Sequence, residues 1–310
     1  MDESEDRQLL VVIFDVNPVW WGLKSLHGEA QITKCLDALL VFVNSFLMLR
    51  HDNQLAIIAS HSTKSVFLYP SSSQEGEQFI SISDGRYEHF ARVDSSIIQD
   101  FRQLMADGCE DKDIRSDSLI AGSMSTALCY IHRIMREAKS RQKINPRILV
   151  VKAADDAAAQ YMSFMNVIFA AQKEHVVIDA CVLGQDSGLL QQACDMTGGM
   201  YLKVPTQDVL LQYLLTAFLS EAEVRKSSFN FSQTNSSRDV DYRAACFCHR
   251  SLVDVGFVCS VCLSIFCQFS PICSTCETAF KPPPMSAKSR KKRRLPAGRS
   301  NSPYTEGVLK

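Results

Sequence analysis

The sequence predicts an α/β protein: a doubly wound, mostly parallel sheet with helices on both faces, followed by a small cysteine-rich module. Three observations carry this. Residues 9–15 read LLVVIFD, six apolar residues in a row ending on a carboxylate, as a strand covered on both faces must read. From Arg147 onward, short apolar runs alternate with helical patterns, which makes successive strands parallel and puts helices on both faces. Seven of the 12 cysteines fall between Cys246 and Cys276.

A chain of 310 residues, 46% hydrophobic, exceeds the usual size of one domain, so two are expected. The net charge of -1 creates no global field toward nucleic acid or membrane, although the chain opens on MDESED and carries KSRKKRR near its close. No basic-then-apolar leader is visible. The longest apolar run, 35–48, is interrupted by Asp37 and Asn44 and is short for a bilayer. A soluble, intracellular protein is expected, and in a reducing compartment clustered cysteines are metal ligands more often than crosslinks.

The elements follow in order. Apolar residues recur at helical spacing over 32–48 (Ile32, Cys35, Leu36, Leu39, Leu40, Val43), predicting a helix with one buried face. QLAIIAS at 54–60 and KSVFLY at 64–69, joined by the polar link 61–63, predict a hairpin. Residues 70–89 are rich in Ser, Gln and Gly and predict an irregular excursion. Helices are predicted over 95–105, 119–138, 155–172, 188–197 and 207–219, and strands over 147–151, 176–183 and 200–204.

Gly198 and Gly199 suit a helix end that needs a left-handed cap before a strand. Asp155 and Asp156 stand where a helix would begin, and a capping role outweighs a catalytic one there. Residues 227–237, SSFNFSQTNSS, form a polar linker whose sequons at Asn230 and Asn235 are read as chance. No internal repeat is evident. The expected organisation is an acidic N-terminus (1–8), the α/β domain (9–220), a linker (221–241), a four-cysteine zinc-binding module (242–281) and a basic, disordered tail (282–310).

Asp15 closes the first strand, so it stands at the lip of the crevice where open α/β sheets bind ligands. A dinucleotide would need glycines there, but the residues are Val16, Asn17, Pro18, Val19, Trp20 and Trp21. A Walker loop, a GxSxG elbow and an HExxH helix are also missing from the sequence, which lowers the prospect of an enzyme. The aspartate after strand one, the early hairpin and the passage LLQQACDMTGGMYLKV resemble the von Willebrand factor A domain over about two thirds of the chain. The resemblance implies a magnesium site built from an Asp-x-Ser-x-Ser loop, a distant threonine and a later aspartate. Asp15 matches the first aspartate, but Asn17 and Val19 replace the serines, Ser118 is the candidate for the threonine, and Lys152, Ala153 and Ala154 follow the later strand. A lysine there competes with a divalent ion, which needs oxygen ligands. The ion site is therefore expected to be degenerate, with Asp15 bonded to loop backbone or to Lys152. Trp20 and Trp21 sit at the same rim, one expected to pack inward and the other to meet a protein partner.

Cys259-x-x-Cys262 and Cys273-x-x-Cys276 are two knuckles separated by ten residues, each able to give two thiolates to one tetrahedral zinc. The apolar complement around them (Val258, Val261, Leu263, Ile265, Phe266, Phe269) is too thin to fold without the metal. Cys246, Cys248, His249 and Cys267 bring the candidate ligands to eight, enough for two ions, but the histidine lies too early for a RING pattern. One zinc is expected. Lys288 and the run 290–294 read as a nuclear import signal rather than a nucleic-acid contact.

The A domain with a broken ion loop, the segments DYRAACFCHR and GFVCSVCLSIFCQFSPICSTCETAF, and the phrases YMSFMNVIFAAQ and DSGLLQQACD together resemble the small A-domain subunits of the general transcription and DNA repair factor TFIIH. The resemblance runs over nearly the whole chain. It implies a nuclear, non-catalytic core subunit used in RNA polymerase II initiation and nucleotide excision repair. Its A domain would pair with the zinc-binding domain of a second A-domain subunit, beside other core subunits that include helicases. It implies zinc on Cys259, Cys262, Cys273 and Cys276, no small-molecule substrate, no membrane, and at most indirect or weak DNA contact. Two rivals remain: a RING-like ubiquitin ligase, and a zinc protein that reads DNA directly.

Overall fold

The computed structural model describes residues 7–70, 87–108, 116–138, 144–156, 160–221, 224–225, 240–249 and 251–280. Most of the irregular excursion, the polar linker with its sequons, and the basic run lie outside these residues. The chain divides into two compact units, Met1–Asp254 and Val255–Lys310.

The first unit is built on a six-stranded sheet. Its strands are β1 (Arg7–Asp15), β2 (Gln54–Ser60), β3 (Ser65–Tyr69), β4 (Ile144–Lys152), β5 (Val177–Val182) and β6 (Tyr201–Lys203), in the order β3-β2-β1-β4-β5-β6. Only β3 runs antiparallel, closing the expected hairpin on β2. This is the doubly wound, mostly parallel sheet that the sequence predicts. β1 lies inside it, paired with β2 and β4. Successive side chains of a strand point to opposite faces, so Leu10, Val12 and Phe14 enter one core and Leu9, Val11 and Ile13 the other. That division is why β1 carries no polar residue between Leu9 and Phe14.

Helices α1 (Pro18–Leu26), α2 (Ile32–Leu49) and α3 (Glu88–Gly108) belong to the Phe14 face, and α4 (Ile120–Glu137), α5 (Tyr161–Lys173) and α6 (Gly188–Thr197) to the Ile13 face. α2 is long and apolar enough to cross a membrane. Instead, Cys35, Leu36, Leu39, Leu40, Phe42, Val43 and Phe46 are buried in the core of the unit. α3 begins earlier than predicted, and Val93, two residues before the predicted start, already packs inward. The last helix is composite: a 3-10 turn at Gln207–Val209, α7 at Leu210–Tyr213, and a π turn at Leu214–Phe218.

Two expectations are corrected. α1 replaces the loop expected at the rim: Asn17 caps it, its side-chain oxygen accepting from the amides of Val19 and Trp20, with Pro18 in the first turn. Asp155 and Asp156 do not cap α5, whose N-cap is Gln160. Asp156 instead accepts from Lys152 at 2.6 Å and from the Ser187 hydroxyl at 2.8 Å.

Gly198 ends α6 in the left-handed region at φ 72°, as the Gly-Gly pair predicts. Gly199 is required for a different reason: a Cβ there would lie 1.9 Å from the carbonyl oxygen of Ile178, so no larger residue fits against β5.

A buried ionic cluster closes the unit. Arg225, 3% exposed at its side chain, donates to both carboxylate oxygens of Asp179 at 3.1 and 2.8 Å, and Asp179 is fully buried. Arg147 stands 3.7 Å from the same carboxylate and donates to the carbonyls of Ser220 and Phe218. Asp179 also accepts the amide of Met200 at 2.8 Å. The chain leaving the last helix is thus pinned to β4 and β5 by charge.

The unit also contains a two-residue hairpin, β7 (Ala244–Ala245) with β8 (Leu252–Val253). In the second unit, β9 (Phe257–Val258) pairs with β10 (Ile265–Phe266), and Ile272 bridges to Ala279. Its buried apolar side chains are few: Cys259, Phe266 and Cys273 are inside, while Phe257, Val258, Val261, Leu263, Phe269 and Ile272 are exposed.

Candidate functional site

The rim of the sheet is assembled where β1 and β4 end. Asp15 is wholly buried, and its two oxygens are taken up by the chain itself. One accepts the Ser118 hydroxyl at 2.6 Å and the Asn17 amide at 3.2 Å; the other accepts the amides of Ala154 at 2.8 Å and Ala153 at 3.1 Å. Burial pushes the Asp15 carboxyl above its ordinary value, against the pull of Ser118, of the two amides and of the Lys152 charge. Of the two alternatives expected for Asp15, the loop backbone is the one realised, since Lys152 turns to Asp156. Ser118, the candidate for the distant threonine, does reach Asp15.

Asn17 has no side-chain oxygen to spare for an ion. That oxygen caps α1, and its amide donates to the carbonyl of Ser116 at 2.8 Å. Val19 offers no oxygen from its side chain, and Lys152 stands on the strand end where a later carboxylate would be needed. Four donors of the chain and one ammonium group thus occupy the surroundings of Asp15, a poor fit for magnesium. Replacing Asp15 by Asn would keep the volume but put an NH2 donor in place of one acceptor oxygen, facing two donors of the chain. We expect D15N to lower stability by roughly 2–4 kcal/mol in urea unfolding; an unshifted midpoint would show that these bonds carry no weight.

Both tryptophans stand on α1, and one of them packs inward as expected. Trp21 is buried, and its indole N–H donates to the Asp15 carbonyl at 2.9 Å. Trp20 is half-buried, packs edge-on against Trp21 at 4.8 Å, and has the Lys24 ammonium over its ring. Gly184 backs this corner, since a Cβ there would strike the Ala153 carbonyl at 2.2 Å.

The second unit brings Cys259, Cys262, Cys273 and Cys276 together, with all four sulfurs within 4.8 Å of one another. Cys259 and Cys276 are 3.7 Å apart, and Cys262 and Cys273 3.6 Å. Two sulfurs on one tetrahedral zinc lie about 3.8 Å apart for Zn–S bonds of about 2.3 Å, so the donor set fits zinc. Each pair is held by the same backbone turn. The amide of Cys259 donates to the Ser264 carbonyl at 2.9 Å, and that of Cys273 to the Thr278 carbonyl at 2.9 Å. Leu263 and Glu277 take left-handed φ values of 60° and 59° to close the turns. The amides of Val261 and Cys262 point at the Cys259 sulfur, at 3.4 and 3.5 Å. The hydroxyl and amide of Ser264 hold the Cys262 thiol down to about 6, toward the thiolate form that binds metal.

Of the other candidate ligands, Cys246, Cys248 and His249 lie in the first unit between β7 and β8, and Cys267 follows β10 in the second. His249 Nδ1 is 3.2 Å from the Cys248 sulfur and 4.0 Å from that of Cys246. By contrast Cys35, Cys181 and Cys194 are buried in the helix and sheet core, and burial raises their thiols, Cys35 to about 12. They are core residues, not ligands. The buried Arg147, Asp179 and Arg225 cluster is the feature that sequence reading missed; the one visible sign was a carboxylate inside the apolar strand VIDACV.

Comparison with known proteins agrees with this geometry. The family model described as transcription factor Tfb4 matches residues 7–277. The chain is 40% identical over 290 residues to the general transcription and DNA repair factor IIH subunit tfb4 of Schizosaccharomyces pombe, covering 93% of each chain. It is 45% identical over 268 residues to general transcription factor IIH subunit 3 of Dictyostelium discoideum, covering 83% of this chain and 70% of that one. Among solved structures, the crystal structure of the TFIIH p34 N-terminal domain superposes with a TM-score of 0.59 at 29% identity, over 69% of this chain and 99% of that domain.

Proposed function

The chain belongs to the transcription factor Tfb4 family, and from that premise we propose that it is a non-catalytic core subunit of TFIIH. It would act in the nucleus, in RNA polymerase II initiation and in nucleotide excision repair. Relatives named as subunits of a general transcription and DNA repair factor support the complex and a part in transcription and repair. One structural observation supports the non-catalytic role above all: the crevice that would hold a reactive ion is filled by Ser118, Asn17, Ala153 and Ala154, all bonded to Asp15. A rim satisfied by its own chain has no open coordination position to polarise a substrate. It does have a fixed shape, which is what holding a protein partner requires.

The partner we propose for the A domain is the zinc-binding domain of a second A-domain subunit, with the other core subunits and their helicases assembled around the pair. Zinc on Cys259, Cys262, Cys273 and Cys276 would fix the second unit for its share of the contacts, and any contact with DNA would be indirect or weak. The test is co-expression with the other core subunits. The chain is expected to co-purify in a stoichiometric complex with the second A-domain subunit, and omission of the chain is expected to abolish repair and initiation by the reconstituted factor. A chain that elutes alone while the remaining subunits assemble and work would overturn the proposal.

A further inference from the structure

The two knuckles of the four-cysteine site are not the only ones of their kind among the described residues. In each, a cysteine amide donates to the carbonyl five residues on, Cys259 to Ser264 and Cys273 to Thr278, both at 2.9 Å. Cys246 does the same to Ser251, also at 2.9 Å. Short antiparallel pairing flanks all three turns: β9 with β10, Ile272 with Ala279, and β7 with β8. The residue three places after the first cysteine is Cys262, Cys276 and, in the third turn, His249. The residue five places after it is Ser264, Thr278 and Ser251, whose hydroxyls lie beside a cysteine sulfur of their own turn at 3.1, 3.2 and 3.5 Å. The His249 amide points at the Cys246 sulfur at 3.4 Å, as the Cys262 amide points at that of Cys259.

The segment around Cys246 thus repeats the turn of the two cysteine pairs, with histidine in the place of the second cysteine. Amides aimed at a sulfur stabilise a thiolate before any metal arrives, and an apolar turn would have no use for them. We propose that Cys246, Cys248 and His249 form a second zinc site in this chain, distinct from the four-cysteine site. Their ligand atoms all lie within 4.8 Å of one another. A sulfur and an imidazole nitrogen on one tetrahedral zinc stand about 3.5 Å apart, given bonds of about 2.3 and 2.0–2.1 Å. The observed 3.2 and 4.0 Å bracket that value. The Cys246 sulfur is buried and Cys248 and His249 are exposed, so an ion can enter from solvent and finish its tetrahedron with one further donor. The single ion expected from the sequence becomes two.

The test is metal analysis and zinc-edge X-ray absorption on the full chain after dialysis against a weak chelator. Two zinc ions per chain are expected, with a nitrogen scatterer at about 2.0–2.1 Å beside the sulfur shell at about 2.3 Å. One zinc per chain with a purely sulfur shell would overturn the proposal, and that measurement needs no variant. C246S is expected to keep one ion and lose the nitrogen signal, whereas retention of two ions would count against the site. H249C rebuilds the Cys-x-x-Cys pattern of the other turns, so it should hold two ions and lose the imidazole ring scattering; imidazole scattering surviving in H249C would also sink the assignment.

Discussion

Removing zinc with a strong chelator is expected to unfold residues 255–280 while the six-stranded sheet stays folded. The expectation follows from how little else holds the second unit. Phe266 is its one large buried hydrophobic among the described residues, while Phe257, Val258, Val261, Leu263, Phe269 and Ile272 face solvent. Two-residue strands contribute almost nothing on their own. What remains is four sulfurs drawn to within 4.8 Å, a repulsive arrangement for thiolates with no cation between them. A structural zinc supplies about 10–16 kcal/mol in small cysteine sites, more than the whole stability of most domains. Limited proteolysis with and without chelator should therefore gain cleavage sites within 255–280 and none in the sheet. Equal protection in both conditions would show that the unit folds on packing alone. C259S together with C273S should reproduce the chelated pattern, since it removes one sulfur from each knuckle.

The second large effect is expected at Asp179. Replacing it by alanine strands two guanidinium groups in the interior, Arg225 at 3% and Arg147 at 8% side-chain exposure, and also deprives the Met200 amide of its acceptor. Breaking a buried pair from one side costs about 3–5 kcal/mol, because the remaining charge is uncompensated. D179A should therefore lower the urea midpoint of the first unit more than any single core truncation of similar size. Replacing Asp179, Arg147 and Arg225 together by apolar residues should recover much of the loss, as no charge is then left alone. A D179A chain within about 1 kcal/mol of the parent would mean that water reaches the cluster.

The sheet was legible because its signals are local. A run of six apolar residues, two short apolar runs joined by a polar link, and Gly198 at a helix end each state their structure within a few positions. α1 carried a local signal as well, Asn17 as cap followed by Pro18, but two adjacent tryptophans read more readily as a loop. The start of α5 was misplaced because Asp155 and Asp156 suit a cap, whereas Asp156 instead accepts from Lys152 and Ser187. The Asp15 network was half legible. Family resemblance named Ser118, 103 residues away, yet nothing in the sequence says that the amides of Ala153 and Ala154 close the other side. The Asp179 and Arg225 pair joins residues 46 apart, one of them in a stretch that composition assigned to a linker. The third knuckle was visible as Cys-x-x-His but hidden by the extra Cys248, since counting looks for paired cysteines. The repeat shows only when backbone turns are compared.

The inner position of β1 bears on how the molecule is made. β1 begins at Arg7, but its neighbour β4 begins at Ile144, 144 - 7 = 137 residues later. At about 5–20 residues per second on the ribosome, that neighbour trails by roughly 7–30 s. For that interval the nascent chain holds six apolar residues with one edge open and an uncovered α2, whose mean hydropathy is 1.7. Such an edge invites pairing with other chains. Synthesis, more than the finished fold, is therefore the stage at which the edge of β1 lies open to other chains.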